Sequence, residues 1–201
     1  MTYGKSIRIH LFQWLFETYT RLGLSYNTES LLWQRSTHEQ DGKWKRITYP
    51  EARNVPSWSW MAYDGEISYM KVPFSEVDWS NAVQYPYDRE AEEFVGPDHA
   101  RNIGLKAVVR EFSSCAQELS FNTQDRGQLI FDEDERTINQ ELKCAVLGMI
   151  RQSESSDEQK HLILVLEHEI GVESTYKRVG IGLVQRRDIF FDSAGEQGWI
   201  V

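Results

Sequence analysis

Cys144-Ala-Val-Leu-Gly-Met-Ile-Arg151, His161-Leu-Ile-Leu-Val-Leu-Glu167 and Tyr176-Lys-Arg-Val-Gly-Ile-Gly-Leu-Val184 follow one another in the last third of a 201-residue chain. Each run has the length of a strand and is rich in aliphatic and β-branched residues. Polar or acidic separators at 153–159 and 169–174 keep them apart. No helical period intervenes, so the chain turns back as strand after strand. Working outward, further strands are expected at 105–112, 127–131 and 188–191, with 132–136 as another charged separator. Such spacing predicts an antiparallel β-barrel or sandwich, and pattern alone does not separate the two.

The N-terminal half reads differently. Over 6–23, Leu11, Phe12, Leu15, Phe16, Tyr19 and Leu22 form an i, i+3/i+4 stripe, with Ser6 as a cap and Gly23 as a stop. This predicts an amphipathic helix packed on the β-rich domain. After it, 31–35 and 44–49 read as short strands, with Asp41-Gly42 as a hairpin turn between them. Val55-Pro-Ser-Trp-Ser-Trp-Met-Ala-Tyr-Asp-Gly65 reads as a strand that puts Trp58, Trp60 and Ala62 on one face. Asp64-Gly65 then signals a second hairpin. Residues 71–103 hold three of the five prolines and are expected to form an irregular, partly mobile loop. The whole reads as a single mainly β (α+β) domain over 1–201.

Composition narrows the function. Lys plus Arg is 22 against 31 Asp plus Glu, a net charge of −9. That argues against nucleic acid and anionic membranes as partners, since both require basic surface. The longest apolar run, 162–166, is far short of the roughly 20 residues that span a bilayer. No signal-peptide core stands at the N-terminus, so a cytoplasmic location is expected. Two cysteines cannot build a disulfide scaffold. Cys144, inside a strand pattern, reads as a small buried hydrophobe.

Few residues announce chemistry. Gly180-Ile-Gly182 has no third glycine and no following helix, so it fails the dinucleotide test and reads as close backbone approach or a bulge. His161 and His168 lie seven apart, on opposite faces of one strand, and cannot share a metal. Asp132-Glu-Asp-Glu135 lacks the glycine and distal glutamate of a calcium loop and reads as a charged hairpin tip. There is no Gly-x-Ser-x-Gly elbow. No metal and no cofactor are expected. Trp58, Trp60, Tyr63, Asp64, Glu66, Trp79 and His161 remain as candidates for a pocket or interface. Aromatic residues dominate such surfaces, and the acids and the histidine could move protons.

Leu31-Leu-Trp-Gln-Arg-Ser followed by Val55-Pro-Ser-Trp-Ser-Trp-Met-Ala-Tyr-Asp-Gly resembles the C-terminal region of fungal heterokaryon-incompatibility (HET-domain) proteins. Softer matches are the stretch from Phe12 to Tyr26, Val72-Pro-Phe-Ser-Glu-Val-Asp-Trp79, and Tyr176-Lys-Arg-Val-Gly-Ile-Gly. The resemblance runs in order along nearly the whole chain. It contains no counterpart of the HET domain itself, so the cell-death activity linked to that domain does not carry over. The stretch between Tyr26 and Leu31 also looks shortened. The resemblance implies a non-enzymatic accessory or recognition module working through protein partners. The competing expectation is a small-molecule enzyme or binder of cyclase or lyase type, with an aromatic-lined barrel pocket.

Overall fold

The structure is a computed structural model and describes residues 28–36, 45–49, 55–85, 104–113, 127–133, 141–151, 158–191 and 194–201. The helix expected over 6–23 lies outside these residues. Among the described residues eleven strands are formed: β1 (Trp33–Arg35), β2 (Lys45–Arg46), β3 (Tyr63–Asp64), β4 (Ile67–Tyr69), β5 (Val77–Trp79), β6 (Leu105–Glu111), β7 (Gly127–Phe131), β8 (Leu142–Ile150), β9 (Lys160–His168), β10 (Thr175–Gln185) and β11 (Glu196–Ile200). The protein is mainly β, and its centre is a closed barrel of five strands in the order β11-β6-β8-β9-β10. The pairs around the ring are antiparallel. A parallel pairing of β10 with β11, Thr175 with Trp199 and Tyr176 with Ile200, completes it.

The two long strands explain how five suffice. β8 pairs with β9 along one edge and divides its other edge between β6 and β5. β10 likewise pairs with β9 and divides its other edge between β11 and β7. Register then sorts the side chains, because residues paired across strands point to the same face. Val109, Ala145, Leu164, Ile181 and Ile130 form one row across β6, β8, β9, β10 and β7. Arg110, Cys144, Val165, Gly180 and Phe131 form the next row, on the opposite face. The first row belongs to the main core, with Leu105, Leu162, Leu166 and Ile200 and with Leu31, Leu32, Trp58, Met70, Val77 and Tyr85 from the N-terminal half. The second belongs to a smaller cluster with Ile163, Val184 and Ile189. Burying each of these aliphatic side chains stabilises the fold by about 1.5–3 kcal/mol.

Several expectations are corrected. Trp58 and Trp60 do not lie on a strand: Trp60–Ala62 is a 3-10 turn. Pro56 and Ser59 build it, since the Pro56 carbonyl accepts from the Ser59 N–H at 3.0 Å. Ser59 Oγ accepts from the Met61 N–H at 3.3 Å, the local capping bond that draws serine out of strands. Neither expected hairpin forms among the described residues. β1 pairs with β4 and β2 with β3, so the Asp64-Gly65 turn, with Gly65 at φ 139°, joins strands that diverge to different partners. The irregular stretch expected at 71–103 contains β5, which extends the sheet at β8; residues 86–103 lie outside the description. At 188–191 there is no strand. Arg186–Asp188 is a 3-10 turn, and Ile189 makes only a single bridge to Phe112. The last ring strand, β11, carries too few apolar residues and a central glycine to be read as one. Gly198 is required there, because a Cβ would come within 2.7 Å of the Tyr176 ring.

Candidate functional site

Among the aliphatic residues of β10 stands Arg178, which is 1% exposed. A guanidinium cannot be buried without partners, and this one has them from two distant parts of the chain, residues 31–33 and Asp132. Nε and one terminal nitrogen donate to the two carboxylate oxygens of Asp132 at 3.1 and 3.2 Å, a bidentate pair. The terminal nitrogens also donate to the carbonyls of Leu31 at 2.8 Å and Trp33 at 2.5 Å. The guanidinium carbon lies 3.4 Å from the centre of the Trp33 ring, so the cation also stacks on an aromatic face.

Further hydrogen bonds fasten the tryptophan motif to this group. Trp33 Nε1 donates to the Trp58 carbonyl at 2.8 Å. Ser57 Oγ accepts from the Arg178 backbone N–H at 2.8 Å and donates to the Val201 carbonyl. Tyr63 packs against Trp33 with ring centres 5.5 Å apart. Desolvation first, and then the charge of Asp132, push the Tyr63 hydroxyl well above the usual tyrosine range. It is therefore a neutral phenol at physiological pH. The segments Leu31-Leu-Trp, Pro-Ser-Trp-Ser-Trp and Tyr-Lys-Arg-Val-Gly thus meet at one buried cation.

The expected site residues do not converge. Trp58 is buried in the main core, edge-on to Tyr85. Trp60 is half-buried against the small cluster of Trp33, Ala62 and Tyr63. Asp64 and Glu66 lie exposed in the turn after Tyr63. Trp79 is half-buried on β5 against the main core. His161 stands on the face of the sheet opposite that core, buried against Phe191 at 5.2 Å between ring centres. Burial is the main cause that lowers its pKa. Cys144 is buried too, and desolvation pushes its thiol up to about 12, so it is an inert hydrophobe.

Sequence reasoning missed Arg178, Asp132 and Ser57. Arg178 was visible as a charge inside an aliphatic strand. Asp132, expected at a solvated hairpin tip, is 1% exposed. Its turn had no signal marking one carboxylate as buried, because the partner lies 46 residues away. The arrangement holds a cation and an anion that neutralise each other out of reach of solvent. It is suited to locking segments together and presents neither group to a substrate. Among the described residues no group of three or more His, Cys, Asp or Glu side chains is placed to hold a metal ion. No described helix is long and apolar enough to cross a membrane.

Fold and centre together define a closed five-stranded β-barrel whose covering segments are locked to it by one buried arginine–aspartate pair. Family models, curated proteins and solved structures yield no match to this chain.

Proposed function

We propose that this protein is a non-enzymatic recognition or accessory module that acts through protein contacts, resembling the C-terminal part of fungal heterokaryon-incompatibility proteins. One observation carries the reading. Of the candidate aromatic residues, Trp58 and Tyr63 are buried, Trp58 edge-on to Tyr85 and Tyr63 against Trp33, which itself carries Arg178, while Trp60 and Trp79 are half-buried against core clusters. A filled aromatic centre favours a scaffold over a cyclase or lyase, which needs an open apolar pocket with an acid or base in it. Large apolar side chains stand outside instead, at the turn between β9 and β10, where Ile170 is 80% exposed with Val172 beside it. In this reading the module works in the cytoplasm.

The test is affinity capture from fungal lysate with the tagged protein and an Ile170→Asp/Val172→Asp variant. A protein retained by the wild type and lost from the equally stable variant is the expected result. Recovery of no partner by either form, together with turnover of a small molecule, would overturn the proposal.

A further inference from the structure

The turn that joins β9 to β10 departs from ordinary turn composition. Between Glu169 and Ser174 the chain reads Ile170-Gly-Val-Glu173. Aliphatic residues thus stand on both sides of Gly171, where small or polar residues are the rule. Ile170 is 80% exposed and Val172 39%. The turn is also fixed. The Glu169 N–H donates to the Thr175 carbonyl at 2.8 Å, and the Val172 N–H donates to the Glu169 carbonyl at 3.3 Å. Thr175 Oγ1 donates to the Glu173 carbonyl at 3.1 Å, and the Trp199 N–H, on β11, donates to the Ser174 carbonyl at 2.9 Å. Gly171 has φ 84° and Ser174 φ 50°. A residue other than glycine is uncommon in that left-handed region and is held there by its surroundings. Fixed in this way, Ile170 stays in water, and little backbone freedom is left to lose when a partner covers it.

Charge frames the apolar tip. Glu167, Glu169 and Glu173 stand in the turn and on its flank, against Lys177, which pairs with Glu169. Glu173 is exposed, and among the described residues its carboxylate makes no ion pair.

We infer that the β9–β10 turn docks on a basic amphipathic helix of another protein, Ile170 entering the apolar stripe and Glu173 meeting a lysine or arginine beside it. The inference deepens the recognition reading above and rests on it. A helix face offers holes between neighbouring side chains that take one projecting aliphatic residue, and the charge of the turn selects a stripe bordered by cations. Other occupants fit less well. A second copy of this chain brings the same glutamates face to face, and like charges across an interface cost affinity. An anionic bilayer accepts the aliphatic tip but repels the acids around it.

The experiment measures fluorescence anisotropy of labelled helical peptides with the full chain. One peptide carries a leucine stripe with lysines on its polar face. The second keeps the stripe and replaces lysine by glutamate. The third keeps the lysines and replaces the stripe by serine. The leucine–lysine peptide is expected to bind at least about tenfold more tightly than either of the others. Ile170→Asp, with an unchanged melting curve, is expected to weaken it at least about tenfold. Glu173→Gln is expected to weaken it about two- to fivefold, an effect that fades at high salt. No binding of the leucine–lysine peptide, equal binding by wild type and Ile170→Asp, or equal binding of the serine–lysine peptide would overturn the proposal. So would Ile170-dependent sedimentation with phosphatidylcholine vesicles, which would assign the tip to a bilayer. Binding of the leucine–glutamate peptide as tight as that of its lysine counterpart, and still lost in Ile170→Asp, would overturn the basic partner alone and leave the turn as a protein-contact surface. The recognition reading itself fails by the separate outcome of lysate capture given above.

Discussion

Arg178 shows how one residue can decide where distant segments lie. Its guanidinium reaches the carbonyls of Leu31 and Trp33 and both oxygens of Asp132, and its own N–H is held by Ser57. Replacing it by methionine keeps much of the volume but leaves the Asp132 carboxylate buried without its counter-ion. Such a break costs about 3–5 kcal/mol. Lysine does not rescue, because a point charge cannot meet two carbonyls and a bidentate carboxylate in one plane. We expect R178M and R178K to lower the midpoint of urea unfolding strongly, and R178M/D132L to recover part of the loss by removing the stranded anion. Equal stability of R178M and the wild type would refute the role given to this pair. Little of the centre was legible beforehand. The tryptophans drew attention because they are rare, whereas the arginine that organises them is a common residue in an ordinary strand. Only its aliphatic neighbours marked it, and burial of Asp132 follows from a long-range contact that local pattern does not carry.

Elements were read more readily than sites. The strands expected at 105–112, 127–131, 144–151, 161–167 and 176–184 correspond to β6 to β10, with ends shifted by at most two residues. These strands are aliphatic runs with charged separators, and their burial on one or both faces leaves a periodic trace. β1 to β5 are only two or three residues long, too short for any period, and none of them pairs with a partner across a tight turn. Gly180 and Gly182 bear out the reading of close backbone approach. The register of β10 on β9 shifts between Arg178 and Gly180, and β7 crosses directly beside both glycines. A Cβ at Gly180 would lie 2.5 Å from the Ile130 carbonyl oxygen, which is backbone and cannot yield without moving β7. At Gly182 the nearest atom, at 2.6 Å, is the end of the Leu129 side chain, which can rotate away. Overpacking of this kind costs about 1–3 kcal/mol. G180A is therefore expected at the upper end of that range and G182A at the lower end, measured as the difference in unfolding free energy. The reverse order would mean that β7 is the softer neighbour.

At the scale of the whole molecule, the ring depends on its shortest contact. β10 and β11 are joined in parallel over two residue pairs, supported by backbone bonds from Trp199 to Ser174 and from Val201 to Tyr176, each 2.9 Å. Side chains reinforce the seam. Lys143 on β8 pairs with Glu196 on β11 at 2.9 Å, and the Tyr176 hydroxyl donates to the same carboxylate. Ile200 is fully buried in the main core, and the Val201 carbonyl takes the hydrogen bond of Ser57. β11 and Val201 thus close the barrel and tie it to the tryptophan motif at the same point. Removing residues 196–201 deletes β11, uncovers an edge of β6 and leaves Ser57 without its acceptor. Ile200→Ala isolates the packing share, for which about 2–5 kcal/mol is expected. The truncation goes further, because an opened ring has no second edge to hold β10 against β6. In the full chain, far-UV circular dichroism and tryptophan fluorescence should report one coincident urea transition. In the truncated chain the fluorescence transition is expected at lower urea, as the segments around Trp33 and Trp58 separate before the β8–β9–β10 meander unfolds. Coincident transitions at the wild-type midpoint in the truncated chain would show that the barrel does not need its closing strand.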